Sequence, residues 1–469
     1  MADTERDPEP PADRGERRLT TREAAQALGV KPETVYAYVS RGQLTSRRAP
    51  GARGSTFDAE EVAALARRGR REAPTQPPTT ASPGEAVVRT AITLIEPDGH
   101  FYRGVDAAAL ARRYGYEETA EWLWTGRMRP GTRFTAPPET RAAARRAVAA
   151  LPAHSGPTDR LRVAAIAAAA ADPLRFDLGE ATVLASARTL IATLADALPY
   201  APGQCEPPAH AHHTPRPPHL HGPADGAGAP EAPGSARHGA TRPAGAVADA
   251  PPPPSVAEHL WRRLSPHPVD PAALRVLQTA LVLLIDHDLA ASTLAVRVAA
   301  SARAHPYAAV SAGLGAADGP LHGAASGLAH RMLAEALDRG SAAAVVADQL
   351  RAGGRVPGFG HPLYPAHDPR AQVLFALLAE VPAATDALAT AREVAATAAR
   401  HTTPHANVDL ALAVLTVSTG MPPEAGETVF ALARVAGWVA HALEEYAERP
   451  LRMRPRGHYR GPRPPQPVP

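Results

Sequence analysis

One segment in the second half of the chain is apolar on nearly every face of a helix. Asp270 and Pro271 fit an N-cap and the first helical residue, and the run ALRVLQTALVLLI follows them. A helix of this kind has to be buried all round, so it requires other helices to surround it. Residues 371–399 and 427–446 also space their apolar side chains as helices do, and no segment of this region alternates like a strand. The pattern predicts an all-α body.

Composition supports this fold class and narrows the function. Aromatic residues make up only 4% of the 469 residues, and alanine, the strongest helix former, is abundant. The net charge of +3 is spread along the chain, so the whole molecule is not a general nucleic-acid binder. Cys205 is the one cysteine, which excludes an intramolecular disulfide. With neither an export signal nor a membrane span in the sequence, we expect a cytoplasmic protein.

Charged or Pro-rich stretches without apolar periodicity divide the chain. We expect a tail, a linker, a disordered insertion and a second tail, at residues 1–18, 72–84, 202–255 and 463–469. Between them lie a small helical module, residues 19–71, and the main body, residues 85–462. The histidines of the run AHAHHTPRPPHLHG in the insertion could hold a metal, but we interpret this run as low-complexity sequence and assign no metal.

The small module has the pattern of a helix-turn-helix. Thr20 and Glu23 fit a capping box in the run TTRE. The segment KPETVYAYVSRG then predicts a second helix with Val35 and Val39 facing inward, and Asp58 is expected to cap a third helix.

Through TTREAA, LGV and TVYAYVSRG, this stretch resembles the DNA-binding domains of the MerR and excisionase families. The resemblance implies a second helix that enters the major groove and arginines that neutralise phosphates. The DNA-binding candidates are Thr34, Tyr36, Tyr38, Arg41, Arg47 and Arg48. The alternative is a helical module that mediates self-association or senses a ligand.

Four segments of the C-terminal half carry polar residues that a helical scaffold does not need. His287 follows the apolar helix, and His322 lies between glycines in GPLHG. In GFGHPLYPAHDPRA, His361 follows two glycines, and Arg370 falls in a first helical turn, where a cation is disfavoured and an anionic ligand is therefore expected. Asp409 begins the apolar helix of HANVDLALAVL, where the helix dipole would help to keep the carboxylate ionised.

Two further arginines follow downstream. Arg434 lies inside FALARVAGWVAH, where an arginine needs an acidic partner or an anionic ligand, and Arg454 lies in MRPRGHY. Upstream, we interpret Tyr102, Arg103 and Gly104 as structural rather than catalytic.

In order and in spacing, these segments resemble the citrate synthase family, and ITLIEPDGHFYRG with EETAEWLWTG resembles its N-terminal signature. The resemblance covers about residues 86–461 apart from the insertion. It implies an all-α fold with a large domain and a small domain, the latter at about residues 323–406, that close over the substrates.

The resemblance also implies roles for the motif residues. Asp409 would remove a methyl proton from acetyl-CoA, His322 would bind the resulting enol or enolate, and His361 would protonate the oxo group of oxaloacetate. The carboxylates of oxaloacetate would be bound by His287, Arg370, Arg434 and Arg454, the last from a neighbouring subunit. The chain would then be a citrate synthase of the tricarboxylic acid cycle, active as a homodimer or larger oligomer, with no cofactor because acetyl-CoA is a substrate.

Two positions depart from the family pattern. Ala290 stands where the family commonly has asparagine, and Leu284 stands where some relatives have histidine. Propionyl-CoA, giving 2-methylcitrate, is therefore an alternative substrate, since a methylene provides only about 1–3 kcal/mol of discrimination. A second alternative is a DNA-binding regulator whose body senses these ligands without turnover.

Overall fold

The computed structural model describes most of the chain outside the Pro-rich stretches. The described residues are 18–28, 35, 38–39, 44–48, 55–63, 65, 88–205, 252–319, 325–401, 405–453, 458, 460–463 and 465–466. The chain falls into two compact units, Met1–Val88 and Arg89–Pro469. The predicted linker, and nearly all of the first predicted tail and of the insertion, lie outside the described residues.

The N-terminal unit combines a short helix with a three-stranded antiparallel sheet. Its elements are β1 (Arg18–Thr20), α1 (Thr21–Leu28), β2 (Ser46–Arg48) and β3 (Ser55–Asp58), with strand order β1-β3-β2. The predicted capping box is present, because the Thr20 amide donates to the Glu23 carboxylate at 2.8 Å and the Glu23 amide donates to the Thr20 hydroxyl at 3.3 Å. The strands were not predicted, since runs of three or four residues are too short to show alternation.

A small apolar core holds this unit together. Its buried members are Ala24, Ala25, Val35, Leu44, Phe57 and Val62. Val39 packs against this core as predicted. Tyr38, which is one of the DNA-binding candidates, also packs against it and is half-buried.

The main unit begins with a second small antiparallel sheet. It consists of β4 (Thr93–Glu96), β5 (Gly99–Tyr102) and β6 (Val105–Asp106). Arg103 and Gly104 form the turn before β6 with positive φ angles of 47° and 78°. The buried Tyr102 donates its hydroxyl hydrogen to the carbonyl oxygen of Val282 at 3.0 Å. This segment therefore joins the sheet to the helical core.

The rest of the described main unit is helical, which confirms the predicted all-α fold class. The helices are α2 (Ala107–Arg113), α3 (Tyr116–Thr125), α4 (Pro138–Ala149), α5 (Pro157–Ala171), α6 (Glu180–Ala197), α7 (Val256–Leu264), α8 (Pro271–Leu283), α9 (Ala291–Ser301), α10 (Pro306–Ala317), α11 (Ala325–Arg339), α12 (Ala342–Arg351), α13 (Pro369–Leu378), α14 (Thr385–Ala398), α15 (Val408–Ser418) and α16 (Ala425–Ala447).

Helix α8 is the central helix that its sequence predicted. Asp270 caps it by accepting the Ala273 amide hydrogen at 2.7 Å, and Pro271 is its first residue. Side chains such as Leu277 and Leu281 are fully buried. In the part of the chain that the structure describes, α8 packs against α2, α3, α7, α13, α15 and α16.

Helices α11, α12 and α14 pack on one another, and α11 and α14 also pack on α15. The boundaries of the small domain, residues 323–406, stay a prediction. Within the part of the chain that the structure describes, no single helix is long and apolar enough to cross a membrane. One bent pair, Pro369–Leu378 with Pro382–Ala398, meets that length and composition test jointly.

Candidate active site

The loop after α8 places His287 in the protein interior. Asp286 is fully buried and His287 is 7% exposed. The Nε2 atom of His287 lies 2.9 Å from the hydroxyl oxygen of Tyr364. Asp288 follows with a φ of 57°, a left-handed conformation that few residues other than glycine adopt. The end of α8 thus meets the segment that contains His361.

Two glycines tie the loop of His361 to the start of α15. Gly358 and Gly360 have φ angles of 84° and 80°, which favour glycine. The backbone amide of Asn407 donates to the Gly358 carbonyl at 2.9 Å, and its side-chain amide donates to the Gly360 carbonyl at 2.9 Å. These hydrogen bonds hold His361 near the first turn of the helix that carries Asp409.

His361 is half-buried beside two other rings. Its ring centre lies 5.0 Å from that of His287 and 4.9 Å from that of Tyr364. Its Nδ1 accepts the amide hydrogen of Leu363 at 3.1 Å, so the neutral ring carries its proton on Nε2. Burial, together with the charge of Arg370, lowers the pKa of His361 to about 4. At neutral pH, His361 is therefore an uncharged hydrogen-bond donor.

Arg370 is buried in the first turn of α13, where it pairs with Asp368. Its Nε and Nη2 donate to the Asp368 carboxylate at 2.9 and 2.8 Å. Burial opposes the positive charge, yet Asp368 keeps the pKa of Arg370 above its ordinary value. The sequence pattern predicted an anionic ligand for this cation, whereas the helix N-cap Asp368 itself supplies a carboxylate. The remaining nitrogen, Nη1, has no hydrogen-bond partner among the described residues.

Asp409 lies in the first turn of α15. The side chain of the N-cap Asn407 accepts its amide hydrogen at 3.0 Å. Burial raises the pKa of Asp409 to about 6, against the attraction of Arg370. Desolvation is the largest influence on this pKa, yet a value of about 6 still leaves the carboxylate ionised at neutral pH. No described residue donates a hydrogen bond to the carboxylate of Asp409.

Arg434 is 1% exposed in the middle of α16. Its Nε donates to the Leu284 carbonyl at 2.9 Å, and its guanidinium lies 4.6 Å from the ring centre of Phe430. Burial lowers the pKa of Arg434, against the attraction of Asp286. Its Nη1 is buried without a hydrogen-bond partner among the described residues. A buried donor of this kind is costly unless a ligand meets it.

A buried network holds Asp286 beneath His287. One carboxylate oxygen accepts from the Thr93 hydroxyl at 2.6 Å, and the other lies 3.2 Å from Nε2 of His441, with a poor hydrogen-bond angle. Nδ1 of His441 accepts from the Arg297 guanidinium at 2.9 Å, which leaves the imidazole proton on Nε2, facing Asp286. The network fixes the backbone that presents His287.

Three residues of the site were missed from the sequence, namely His100, Asp286 and Tyr364. Asp286 precedes His287 directly, and Tyr364 follows His361 by three residues, so proximity to the motifs could have indicated both. His100 lies within the quoted run ITLIEPDGHFYRG, but the sequence does not show that it meets Asp286, 186 residues away, whose carbonyl oxygen is 3.1 Å from its Nε2.

Some of the predicted functional residues lie outside the described residues. They are His322, Arg454, Thr34, Tyr36 and Arg41. Arg47 and Arg48 lie on the strand β2 rather than on a helix, and Arg47 is exposed.

The structure brings together five predicted residues from four segments: His287, His361, Arg370, Asp409 and Arg434. The resulting site combines buried cations, an uncharged imidazole donor and a carboxylate with a pKa of about 6. Such a set suits proton abstraction next to a polarised carbonyl. Among the described residues, no group of three or more His, Cys, Asp or Glu side chains could hold a metal ion.

Two family models match the chain. The model described as "Citrate synthase, C-terminal domain" matches residues 83–456, and that described as "Helix-turn-helix domain" matches residues 18–70. Citrate synthase 2 of Bacillus subtilis is 32% identical over 212 residues, 44% of this chain and 56% of that protein. A citrate synthase of Dictyostelium discoideum is 36% identical over 208 residues, 42% of this chain and 40% of that protein. The chain spans about half the length of these curated relatives.

Solved structures give the same fold. A citrate synthase from Thermotoga maritima aligns with a TM-score of 0.58 at 24% identity, over 82% of this chain and 96% of the other. One from Thermoplasma acidophilum, solved as a ternary complex with carboxymethyl coenzyme A and oxaloacetate, aligns with a TM-score of 0.57 at 22% identity, over 82% and 97%.

Proposed function

This chain belongs to the citrate synthase family and carries an N-terminal helix-turn-helix domain, and on that premise we propose that it condenses acetyl-CoA with oxaloacetate and water to give citrate and CoA. One observation carries the proposal, namely the convergence of Asp409, whose pKa is raised to about 6, with His361 and Arg370. An acyltransferase of this type needs a base, a carbonyl-polarising donor and an anion site. It requires no cofactor, and we place it in the cytoplasm.

The buried cations of the site would bind the oxo-acid. Arg434 has a buried Nη1 without a hydrogen-bond partner in the described part of the chain, and Arg370 and His287 lie near it. Guanidinium groups suit carboxylates because their donors match the two oxygens. Arg454 of the partner subunit would complete the set, and the ternary complex of the Thermoplasma protein with oxaloacetate supports this choice of ligand.

The chemical step would use Asp409, His322 and His361. Asp409 removes a proton from the methyl group of acetyl-CoA, and His322 hydrogen-bonds the oxygen of the enol or enolate so formed. The methyl carbon then bonds to the carbonyl carbon of oxaloacetate, while the carbonyl oxygen takes a proton from Nε2 of His361, and the water consumed in the next step returns a proton to Nε2. Water finally cleaves the thioester, which releases CoA and the new carboxylate of citrate.

We also propose a homodimer or larger homo-oligomer. Large apolar side chains are exposed on α5, on the loop after it and on α9, and both helices pack against α10. They are Ile166, Leu174, Phe176, Leu294 and Val298, of which Phe176 is 71% exposed. A second copy of the chain would cover such a surface, which supports a partner subunit that supplies Arg454.

Two alternatives follow from specific features. Use of propionyl-CoA, giving 2-methylcitrate, is favoured by the departures at Leu284 and Ala290. A DNA-binding regulator is favoured by the N-terminal domain, where Arg47 is exposed on β2 and available to a phosphate.

The first test is CoA release from acetyl-CoA with and without oxaloacetate, run beside propionyl-CoA. We expect oxaloacetate-dependent release, and Asp409→Asn should lower kcat by about 10²–10⁴-fold because the general base is lost. The matched control is Asp386→Asn, which changes an exposed aspartate in the first turn of α14 and should leave kcat unchanged.

Each outcome of this experiment distinguishes the functions. Faster release with propionyl-CoA would make the enzyme a 2-methylcitrate synthase. Specific DNA binding without CoA release from either thioester would contradict the enzymatic proposal and support the regulator.

A further inference from the structure

A fourth histidine, His100, lies at the end of the site formed by α8 and α16. It belongs to β5 and is 4% exposed. Its ring centre lies 5.4 Å from that of His287, which in turn lies 5.0 Å from that of His361. The charges of Arg370 and Arg434 both act on its imidazole. His100 is therefore adjacent to the residues that would bind the oxo-acid.

The hydrogen bond of His100 determines its tautomer. Its Nε2 lies 3.1 Å from the backbone carbonyl oxygen of Asp286. A carbonyl oxygen only accepts hydrogen bonds, so Nε2 carries the proton and Nδ1 presents a lone pair. Burial, reinforced by Arg370, lowers the pKa of His100 to about 3, so the ring is neutral at physiological pH. In the part of the chain that the structure describes, the buried Nδ1 has no hydrogen-bond partner.

A buried acceptor without a hydrogen-bond partner, such as Nδ1 of His100, lowers the stability of the fold. The fold itself does not require an acceptor at this position. The carbonyl of Asp286 also faces the hydroxyl of Tyr102 at 3.4 Å, so it has a second donor nearby. An apolar side chain at position 100 would fill the space without leaving a polar atom unpaired. The acceptor is thus better explained by a ligand that brings a donor.

We propose that His100 is a further binding residue of the oxo-acid pocket and that its Nδ1 accepts a hydrogen bond from an O–H group. A carboxylate cannot supply this donor. A 2-hydroxy acid can, and condensation creates such a hydroxyl from the oxo group; water held between His100 and a substrate carboxylate can as well. This inference rests on the proposed oxo-acid pocket, although it does not require turnover.

The test measures affinity by calorimetry on the full chain, with oxaloacetate and with malate, its 2-hydroxy counterpart. Exchange of His100 for leucine (His100→Leu) should weaken malate binding by about 10-fold, as expected for one lost hydrogen bond to a ligand. A smaller loss for oxaloacetate identifies the ligand hydroxyl as the donor, and an equal loss identifies water. Unchanged affinity for both ligands would overturn the inference.

Two further variants separate binding from folding. His100→Gln keeps an acceptor and should retain more malate affinity than His100→Leu. His330 in α11 is also a buried histidine, with Nδ1 2.8 Å from the Thr416 hydroxyl, so His330→Leu should lower Tm without changing either affinity. Binding of both ligands without CoA release would remove the enzymatic proposal yet leave the test of His100 valid, whereas no binding by the wild-type chain would overturn the pocket itself.

Discussion

The two sides of the candidate site hold their functional groups by different means. Beside α8 and α16, His287, Asp286 and Arg434 are at most 7% exposed, and hydrogen bonds to the Tyr364 hydroxyl, the Thr93 hydroxyl and the Leu284 carbonyl fix them. Beside α13 and α15, His361 and Asp409 are only half-buried, and backbone hydrogen bonds at glycines place them. The first arrangement suits binding of an anion by preorganised donors. The second suits proton transfer, in which His361 and Asp409 give up or take up a proton. Substitutions on the two sides should therefore separate KM from kcat.

Among variants that leave the general base Asp409 in place, the largest effect is expected on the binding side, beside α8 and α16. Arg434→Met should raise the KM for oxaloacetate about 10- to 100-fold, because a hydrogen bond to a charged group contributes about 1.5–3 kcal/mol. The control is Arg263→Met, which removes another buried arginine, one that is bound to Asp196 and to the Leu198 carbonyl. It should lower Tm and leave KM unchanged. Steady-state kinetics and thermal unfolding check both; a KM that is unaffected in Arg434→Met would remove Arg434 from the binding side.

On the chemical side, beside α13 and α15, a smaller effect is expected from a glycine substitution, and it should act mainly on kcat. A Cβ at Gly358 would lie 2.8 Å from the Cβ of Leu410, and φ there is 84°. Gly358→Ala should therefore shift the first turn of α15 and lower kcat about 10-fold, since reactive groups tolerate little misplacement. Gly353→Ala is the matched control, because Gly353 has a φ of 71° but no atom within 4 Å of a Cβ. Gly353→Ala should lower the free energy of unfolding by about 1 kcal/mol and leave kcat unchanged. Equal kcat values in the two variants would contradict this role of Gly358.

The pH dependence of the reaction should report the chemical side only. With a pKa of about 6, Asp409 loses its function as a base on acidification, so kcat/KM should fall about tenfold per pH unit below 6. The pKa of His361, about 4, should add no limb between pH 6 and 8. A profile that is flat down to pH 5 would exclude Asp409 as the base.

The raised pKa of Asp409 also predicts how stability depends on pH, and here acidification is favourable. Because the folded-state pKa of Asp409 is raised, its contribution to stability is complete below the ordinary value of 3.8 and is lost as pH rises through about 6. Asp409→Asn should therefore have a higher Tm than the wild type between pH 5 and 7.5. The corresponding difference in the free energy of unfolding is roughly 1–3 kcal/mol. Thermal unfolding at several pH values measures this difference, which should disappear near pH 4.

Much of the fold could be predicted because helix signals are local. The cap at Asp270, the capping box at Thr20 and Glu23, and the apolar run of α8 all appear as predicted. The short strands β1 to β6 could not be predicted, since each has only two to four residues and is defined by hydrogen bonds to a partner elsewhere in the chain.

The site could be predicted in its residues but only partly in its chemistry. The motifs named His287, His361 and Asp409 because each stands beside glycines or at a helix end. They did not indicate that Asp368 pairs with Arg370, nor that burial raises the pKa of Asp409. Both effects depend on which atoms surround the charged group, and those atoms come from other helices.

The sequence by itself determined the helical class, the helix-turn-helix domain and the motif residues, because periodicity, capping and motif spacing are properties of neighbouring positions. Only the tertiary structure decided that His100 reaches His287, that His361 is neutral and that Asp409 titrates near pH 6. The reason is physical: desolvation and the field of distant charges act through space, and they exist only once α8, α13, α15 and α16 have packed together.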